Sequence, residues 1–178
     1  MDISVISPAK SVPDDFNAII EIPARSPDGI KFELDKDSGC IAVDRFLGTA
    51  MNYPANYGFV PNTLSGDGDP CDVLVVAPSP LPPGCLIRCR ALGMMFMEDE
   101  SGVDAKIVAV PTAKICPMYA GIKKLEDLPQ QLRDQIEHFF AHYKDLEKGK
   151  WVKISGWGTI EDAKKELEQG IANHAKGK

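Results

Sequence analysis

The chain has 178 residues, which is enough for one domain with a hydrophobic core and too few for two comfortable ones. Its 44% hydrophobic and 26% charged residues are typical of a soluble globular protein. The net charge of −6 argues against long-range attraction to nucleic acid or to an anionic membrane. We therefore predict a single domain over residues 1–178 that has no nucleic-acid partner and no membrane partner.

The N-terminal residues and the cysteines indicate a cytoplasmic protein. MDISVISPAKSVPDD lacks the basic and apolar regions of a signal peptide, and no apolar run approaches the ~18 residues of a membrane span. The five cysteines are odd in number, form no CxxC, and do not complete a zinc pattern with the three histidines. We expect them to be reduced and to act as small core residues.

Short strands separated by turn residues are predicted for the first 110 residues. IKFELD (30–35) alternates strictly, so that Ile30, Phe32 and Leu34 face one way. The other predicted strands are IIEI (19–22), CIAVDR (40–45), NYGFV (56–60), DVLVVA (72–77), CLIRCR (85–90) and AKIVAV (105–110).

Helices dominate the predicted last third of the chain. From Pro129 to about Glu147, apolar residues such as Ile136 and Phe140 recur at helical spacing. After a predicted strand, WVKISGW (151–157), Thr159 and Asp162 make a capping pair for a second helix. Many short strands followed by few helices indicate an α+β fold with a small closed β-sheet.

The stretch GDGDPCD (66–72) crowds three aspartates, Asp67, Asp69 and Asp72, against the start of an apolar strand. Such carboxylates repel one another unless they are protonated or bind metal. They could be turn residues, because Asp-Gly is a turn signal. A calcium loop fails, because its sixth position should be Gly and is Asp72, and its twelfth should be Glu and is Pro78. The third interpretation is a site for hard catalytic cations such as Mg²⁺.

A second acidic segment, EDESGVDAK (98–106), is predicted to be a turn that carries Asp99 and Asp104. Asp104 and Lys106 lie two residues apart at a strand start, so they point the same way. Two further pairs share a strand face, and these are Lys31 with Glu33 and Tyr53 with Tyr57. Carboxylates for metal and cations for oxyanions are together what phosphoryl chemistry requires.

DGDPCD resembles the D-x-D-P-x-D signature of the soluble family I inorganic pyrophosphatases, with the bacterial type as the best match. YPANYGF, EDESGVDAK and HFFAHYKDLEKGKWV resemble further motifs of that family, in its order and spacing. The resemblance covers roughly residues 13–157. It implies a compact five-stranded antiparallel OB-like β-barrel edged by two main helices. It also implies Mg²⁺-dependent hydrolysis of pyrophosphate to two phosphates, with several ions per active site and Mn²⁺ or Zn²⁺ as substitutes.

The resemblance also implies a role for each residue of the site. Asp69 would accept a proton from, or orient, a water shared by two metal ions, and Asp72 would bridge those ions. The implied metal ligands are Asp67, Asp72, Asp99 and Asp104. The implied phosphate-binding residues are Lys31, Arg45, Tyr143 and Lys144. The residues implied near the reacting centre or at its edge are Lys106, Tyr57, Tyr53, Glu21 and Glu33.

Direct attack by a metal-activated water, without a covalent intermediate, is the expected mechanism, because no Ser or Cys nucleophile is needed. Two other functions stay open on the residues alone. A metal-dependent nucleotide or polyphosphate hydrolase would need a pocket for a base beside the acidic rim. A non-catalytic binding module on an OB-like barrel would need an unpaired basic groove and stacking aromatic side chains.

His138 and His142 lie one turn apart on the same side of the predicted first helix. They could bind a metal, although no third ligand stands out, or they could be solvated. The resemblance favours a subunit contact, because the bacterial family assembles as hexamers built from two trimers. We therefore predict a homohexamer in which these histidines lie between trimers.

Overall fold

The computed structural model describes residues 2–26 and 28–177, so Met1, Pro27 and Lys178 lie outside the described residues. Ten strands and two α-helices are present in the part of the chain that is described. The strands are β1 (Ala9–Ser11), β2 (Asp15–Ile22), β3 (Ile30–Leu34), β4 (Ile41–Phe46), β5 (Asn56–Phe59), β6 (Asp72–Val75), β7 (Leu86–Asp99), β8 (Gly102–Val103), β9 (Lys106–Pro111) and β10 (Val152–Gly158). The helices are α1 (Gln130–His142) and α2 (Ile160–Lys176).

A ring of five strands forms the barrel, in the order β2, β5, β6, β9 and β7, with β7 returning to pair with β2. The predicted α+β fold with a five-stranded barrel is therefore confirmed. One detail differs, because β6 and β9 pair in parallel while the other neighbours in the ring are antiparallel. The parallel pair places the starts of β6 and β9 side by side, at the same end of the barrel.

The long strand β7 closes the ring. Its first residues pair with β2, its middle with β9, and its last residues with β10 and β8. The predicted strand ended at Arg90, and the predicted turn began at Glu98, whereas the observed strand continues to Asp99. Alternation does not reveal this extension, because Ala91 to Met95 are all buried.

Two hydrophobic clusters make up the core, one for each helix. Leu74 of β6 packs with Ile136 and Phe140 of α1. Val73 and Val75, on the other face of β6, belong to the cluster that contains Leu167 of α2. Both faces of β6 are therefore covered, which explains why its sequence is a continuous apolar run.

The first helix is shorter than predicted, because α1 ends at His142 rather than near Glu147. Tyr143 and Lys144 follow it in a turn, and both side chains are buried. The second helix begins as predicted, with a capping box formed by Thr159 and Asp162. All five cysteines are free thiols, as expected, and Cys71, Cys89 and Cys116 are buried. The prediction that the cysteines are core residues is wrong for Cys40, which is exposed, and for Cys85, which is only partly buried, because each lies one residue before a strand begins. Within the described residues, no helix has the length and apolar character needed to cross a membrane.

Candidate active site

The floor of the site lies where β5, β6 and β9 run side by side. Because β6 and β9 are parallel and in register, Asp72 lies opposite Lys106. The Lys106 ammonium group contacts the carboxylates of both Asp72 and Asp104. Tyr57 of β5 donates a hydrogen bond from Oη to Oδ2 of Asp72 at 2.6 Å. These contacts fix a carboxylate, a cation and a phenol around one point at the end of the barrel.

Burial and neighbouring charges both act on this floor. Burial alone would lower the pKa of Lys106, which is 2% exposed, but Asp72 and Asp104 raise it above its ordinary value. Burial also raises the pKa of Asp104, and the charge of Asp72 adds to this although Lys106 opposes it. Burial raises the pKa of Tyr57 well above its ordinary value. Lys106 is thus a permanent cation, and Tyr57 stays a hydrogen-bond donor.

The acidic loop, residues 64–71, holds Asp67 and Asp69 beside this floor. The amide N–H of Asp69 donates to Oδ1 of Asp67 at 3.0 Å, and Ser65 N–H donates to the carbonyl of Asp69 at 2.7 Å. Gly68 between the two aspartates has φ of +91°, a conformation that favours glycine. Burial raises the pKa of Asp67, whereas Asp69 is 69% exposed and pairs with Lys36 Nζ at 3.0 Å.

A second buried ion pair lies at the end of β7. Lys144 Nζ contacts Oδ2 of Asp99 at 2.6 Å, and both side chains are 7% exposed. Burial alone would raise the pKa of Asp99, but hydrogen bonds from Lys144 and from the Ser101 amide hold it below its ordinary value. The early end of α1 makes this pair possible, because Lys144 leaves the helix direction and turns toward β7. Asp99 is therefore a buried, ionised carboxylate.

The β3–β4 hairpin forms the rim of the site and carries three of its basic residues, Lys31, Lys36 and Arg45. Lys31 contacts Glu33, and its Nζ lies 3.4 Å from Oδ2 of Asp44. Arg45 pairs with Asp44 at 2.7 Å and with Glu147 at 3.2 Å. The cations of the rim are thus paired with carboxylates of the hairpin and, for Arg45, with Glu147. A phosphate anion could bind these cations by replacing the carboxylates as their partners.

Glu21 lies at the inner edge of the rim. Its Oε1 accepts a hydrogen bond from the Leu34 amide at 2.8 Å. Burial, together with the negative charges of Asp72 and Asp69, raises its pKa to about 7, although that hydrogen bond and Lys31 oppose the shift. The cleft is lined by more carboxylates than lysine and arginine side chains, so its negative charge exceeds what these cations balance.

All of the residues for which the resemblance implies a role in the active site line one cleft of about 550 Å³. His138 and His142 do not line it, because they lie exposed on α1 with ring centroids 4.8 Å apart. The cleft has further charged residues that the sequence did not single out, which are Lys36, Glu100 and Lys150. Glu100 and Lys150 lie within the quoted motifs, so the motifs could have pointed to them.

The donor groups of this cleft suit a hard divalent cation, because carboxylate oxygens are the ligands that Mg²⁺ prefers. Burial and mutual repulsion raise the pKa of Asp104, Asp67 and Glu21, and a bound cation would relieve this. Over residues 2–26 and 28–177, however, no three acidic, histidine or cysteine side chains already converge on one point. Lys106 and Lys144 contact carboxylates there, so the carboxylates would have to shift partners to hold an ion.

A five-stranded barrel with carboxylates, lysines and tyrosines at its open end defines an enzyme of the phosphoryl-transfer class on an OB-like fold. A family model described as inorganic pyrophosphatase matches residues 18–175, so the match extends into α2, beyond the limit of 157 read from the motifs. The chain belongs to the inorganic pyrophosphatase family.

Individual relatives agree with this membership. Inorganic pyrophosphatase of Ralstonia nicotianae is 60% identical over 99% of this chain and 100% of its own length. That of Aquifex pyrophilus is 54% identical over 97% of this chain and 96% of its own. The solved inorganic pyrophosphatase of Coxiella burnetii is 54% identical, covers 95% of this chain and 99% of its own, and superposes with a TM-score of 0.91.

Proposed function

We propose that the protein hydrolyses inorganic pyrophosphate to two orthophosphates in an Mg²⁺-dependent reaction, by direct attack of water without a covalent intermediate. The observation that carries this is the floor of the cleft, where Lys106 is buried between Asp72 and Asp104 beside Tyr57. Family membership gives the same substrate. The net charge of −6 makes a local cation necessary, because the substrate is an anion.

The proposed metal ligands are Asp67, Asp72, Asp99 and Asp104. Bound Mg²⁺ would supply a water of lowered pKa and would neutralise phosphate charge. Mn²⁺ and Zn²⁺ are the expected substitutes. Asp72 accepts a hydrogen bond from Tyr57, which would orient its carboxylate when an ion replaces Lys106 as its partner. This orientation is the preorganisation that catalytic sites require.

Asp69 is proposed to accept the proton of the attacking water or to orient that water. It is the more exposed aspartate of the acidic loop, and its pairing with Lys36 lies at the surface, where an ion pair is weak. Lys106 and Tyr57 lie near the reacting phosphorus in this proposal, where a permanent cation stabilises negative charge that develops in the transition state. No protein nucleophile is required in this scheme.

The phosphate oxygens are proposed to bind the cations of the rim, supported by Tyr53, Glu33 and Glu21. Arg45 offers a planar fork that can donate to two oxygens at once. Lys31 is largely buried, and burial lowers its pKa, which favours an anion as its partner. The proposed substrate-binding residues are Lys31, Glu33, Arg45, Tyr53, Tyr143 and Lys144, with Glu21 at the edge of the site.

The proposed functional unit is a cytoplasmic homohexamer, a dimer of trimers, in which residues 1–178 form one domain. No nucleic acid and no membrane take part. The exposed pair His138 and His142 is proposed to lie at the contact between trimers. Their exposure in the single chain leaves them available for such a contact.

Phosphate release from pyrophosphate, ATP and tripolyphosphate, measured with and without Mg²⁺, tests this function. We expect rapid release from pyrophosphate only, and only with the metal. Comparable release from ATP would favour a nucleotide hydrolase. No release from any substrate, together with binding of an oligonucleotide, would favour a non-catalytic binding module.

A further inference from the structure

The start of the acidic loop is tied to helix α2. The amide N–H of Leu64 donates to the carbonyl of Gly170 at 2.9 Å. Asn173 donates from Nδ2 to the carbonyl of Leu64 at 3.2 Å. Ser65 donates from Oγ to Oε1 of Glu166 at 2.6 Å. Because Glu166, Gly170 and Asn173 are four and then three residues apart, they lie on one face of the helix.

The other end of the loop touches the same helix face. Cys71, which is 2% exposed, directs its Sγ toward the carbonyl of Glu166 at 3.8 Å. A Cβ atom at Gly170 would lie 2.4 Å from this sulfur and 3.2 Å from Cβ of Thr63. The backbone of α2 therefore packs directly on both ends of the loop, and Cys71 immediately precedes Asp72.

Helix α2 is itself firmly seated on the barrel. Ala163 and Leu167 are fully buried in the cluster that contains Val73 and Ile107. Its N-terminus has a complete capping box between Thr159 and Asp162. The helix is thus a fixed support for a loop whose hydrogen-bonded turn points into the cleft.

We propose that α2 is a positioning element of the active site, with Glu166 and Gly170 as its positioning residues for the acidic loop. This rests on the proposed function, because the loop matters through Asp67, Asp69 and Asp72. Mg²⁺ demands near-ideal octahedral geometry, so carboxylates whose positions vary by a fraction of an ångström bind it less tightly. Anchoring the loop at both ends removes that freedom before the ion arrives.

Calorimetric titration of Mg²⁺ without substrate tests the Ser65–Glu166 anchor. Ser65→Ala and Glu166→Ala should each raise the Kd for Mg²⁺ by about tenfold, the equivalent of about one hydrogen bond to a charged group. The double variant should be no worse than either single one, because both remove the same contact. Glu166→Gln, which keeps an acceptor for Ser65, should stay within about twofold of the wild type.

Glu168→Gln is the matched control, because Glu168 is exposed on the same helix and its loss changes the net charge equally. It should leave the Kd and turnover unchanged. Circular dichroism at the titration temperature checks that each variant is folded. In the anchor variants, saturating Mg²⁺ should restore most of kcat, which a general loss of folded protein would not allow.

A size exchange tests the Gly170 contact independently. Gly170→Ala should weaken Mg²⁺ binding, because its methyl group would displace Cys71 and with it the start of β6. Adding Cys71→Ala removes the sulfur and should recover most of the affinity. Cys71→Ala alone leaves a void, and it should weaken Mg²⁺ binding less than Gly170→Ala does.

An unchanged Kd in folded Ser65→Ala and Glu166→Ala would overturn the inference. So would equal losses in Glu166→Ala, Glu166→Gln and Glu168→Gln, since the effect would then be one of net charge alone. Failure of the proposed function looks different, because the wild-type protein itself would neither bind Mg²⁺ nor release phosphate from pyrophosphate.

Discussion

Asp72 and Asp69 belong to the same short stretch, but their surroundings differ. Asp72 is bound by Tyr57 and Lys106 at the end of β6, whereas Asp69 is 69% exposed and contacts Lys36 at the surface. We predict that Asp72→Asn nearly abolishes hydrolysis and weakens Mg²⁺ binding, because it changes a held ligand and removes a charge beside a buried ammonium group. Asp69→Asn should keep much of the metal affinity and lose turnover. Calorimetry with initial-rate kinetics checks this, and equal losses of metal affinity in both variants would contradict the division of roles.

Arg45 is predicted to bind substrate through the geometry of its side chain and not through its charge alone. Arg45→Lys keeps the charge but loses the planar fork that now contacts Asp44 and Glu147. We expect kcat/KM for pyrophosphate to fall by about tenfold or more, which corresponds to about 1.4 kcal/mol of transition-state binding. Lys153→Arg, on an exposed position of β10, is the control and should change nothing. An unchanged kcat/KM in Arg45→Lys would mean that the guanidinium does not contact the substrate.

The raised pKa of Glu21 makes the stability of the metal-free protein depend on pH. Burial raises its pKa from an ordinary 4.5 to about 7, so between these values the folded protein holds a proton that the unfolded chain has lost. Stability contributed by this group is therefore lost as pH rises from about 4.5 to 7. Glu21→Gln keeps an acceptor for Leu34 and removes this cost, which is about 3 kcal/mol. In EDTA, the melting temperature should fall less between pH 5 and pH 8 in the variant than in the wild type. An equal fall in the two proteins would contradict this.

At the scale of elements, the sequence predicted best those strands whose apolar and polar residues alternate or whose residues form a continuous apolar run. IKFELD and DVLVVA became β3 and β6 with small changes at their ends. The second half of β7 was missed, because Ala91 to Met95 are all buried and show no alternation, and because Gly93, with φ of +155°, allows a bulge. The end of α1 was missed because Tyr143 stays buried after the helix has ended.

The motif residues were found because their chemistry is unusual for a strand end or a turn. The contacts of α2 were beyond the sequence, since Ser65 and Glu166 lie 101 positions apart and neither belongs to a recognisable pattern. Lys36 was also missed, because a lysine in a hairpin turn is an ordinary surface residue. Long-range contacts depend on how the barrel closes, and this is a property of the tertiary structure.

Barrel closure itself should depend on Gly58 in β5. A Cβ atom there would lie 1.9 Å from the carbonyl oxygen of Ile19 in β2, and this neighbour is backbone that cannot rotate away. We predict that Gly58→Ala destabilises the protein by more than about 3 kcal/mol. Gly121→Ala, where the added atom would meet nothing within 4 Å, is the control. Denaturant unfolding compares the two, and similar midpoints would show that β2 and β5 can separate at little cost.

At the scale of the whole molecule, the His138 and His142 pair offers a test of the proposed hexamer. Both imidazoles are exposed on α1, and His142 Nδ1 lies 2.9 Å from Oδ2 of Asp145. Neutral imidazoles can donate and accept hydrogen bonds across a two-fold contact. A protonated imidazole carries a positive charge, so in mild acid like charges would face each other across the contact. Asp145 can balance part of the charge on His142, which leaves His138 as the less compensated member of the pair.

We therefore predict a hexamer at neutral pH that splits toward trimers in mild acid. The direction of this pH effect follows from the charge of the protonated histidines. A contact between trimers that disfavours protonation is stable while the imidazoles are neutral, and it is weakened at lower pH, where they become charged. Sedimentation velocity from pH 5 to pH 8 should show this shift in the wild type. The double variant His138→Gln and His142→Gln should lose the pH dependence, and Glu161→Gln, an exposed acidic position on α2, should keep it. An assembly state that ignores both pH and the double substitution would mean that these histidines lie on a solvated surface.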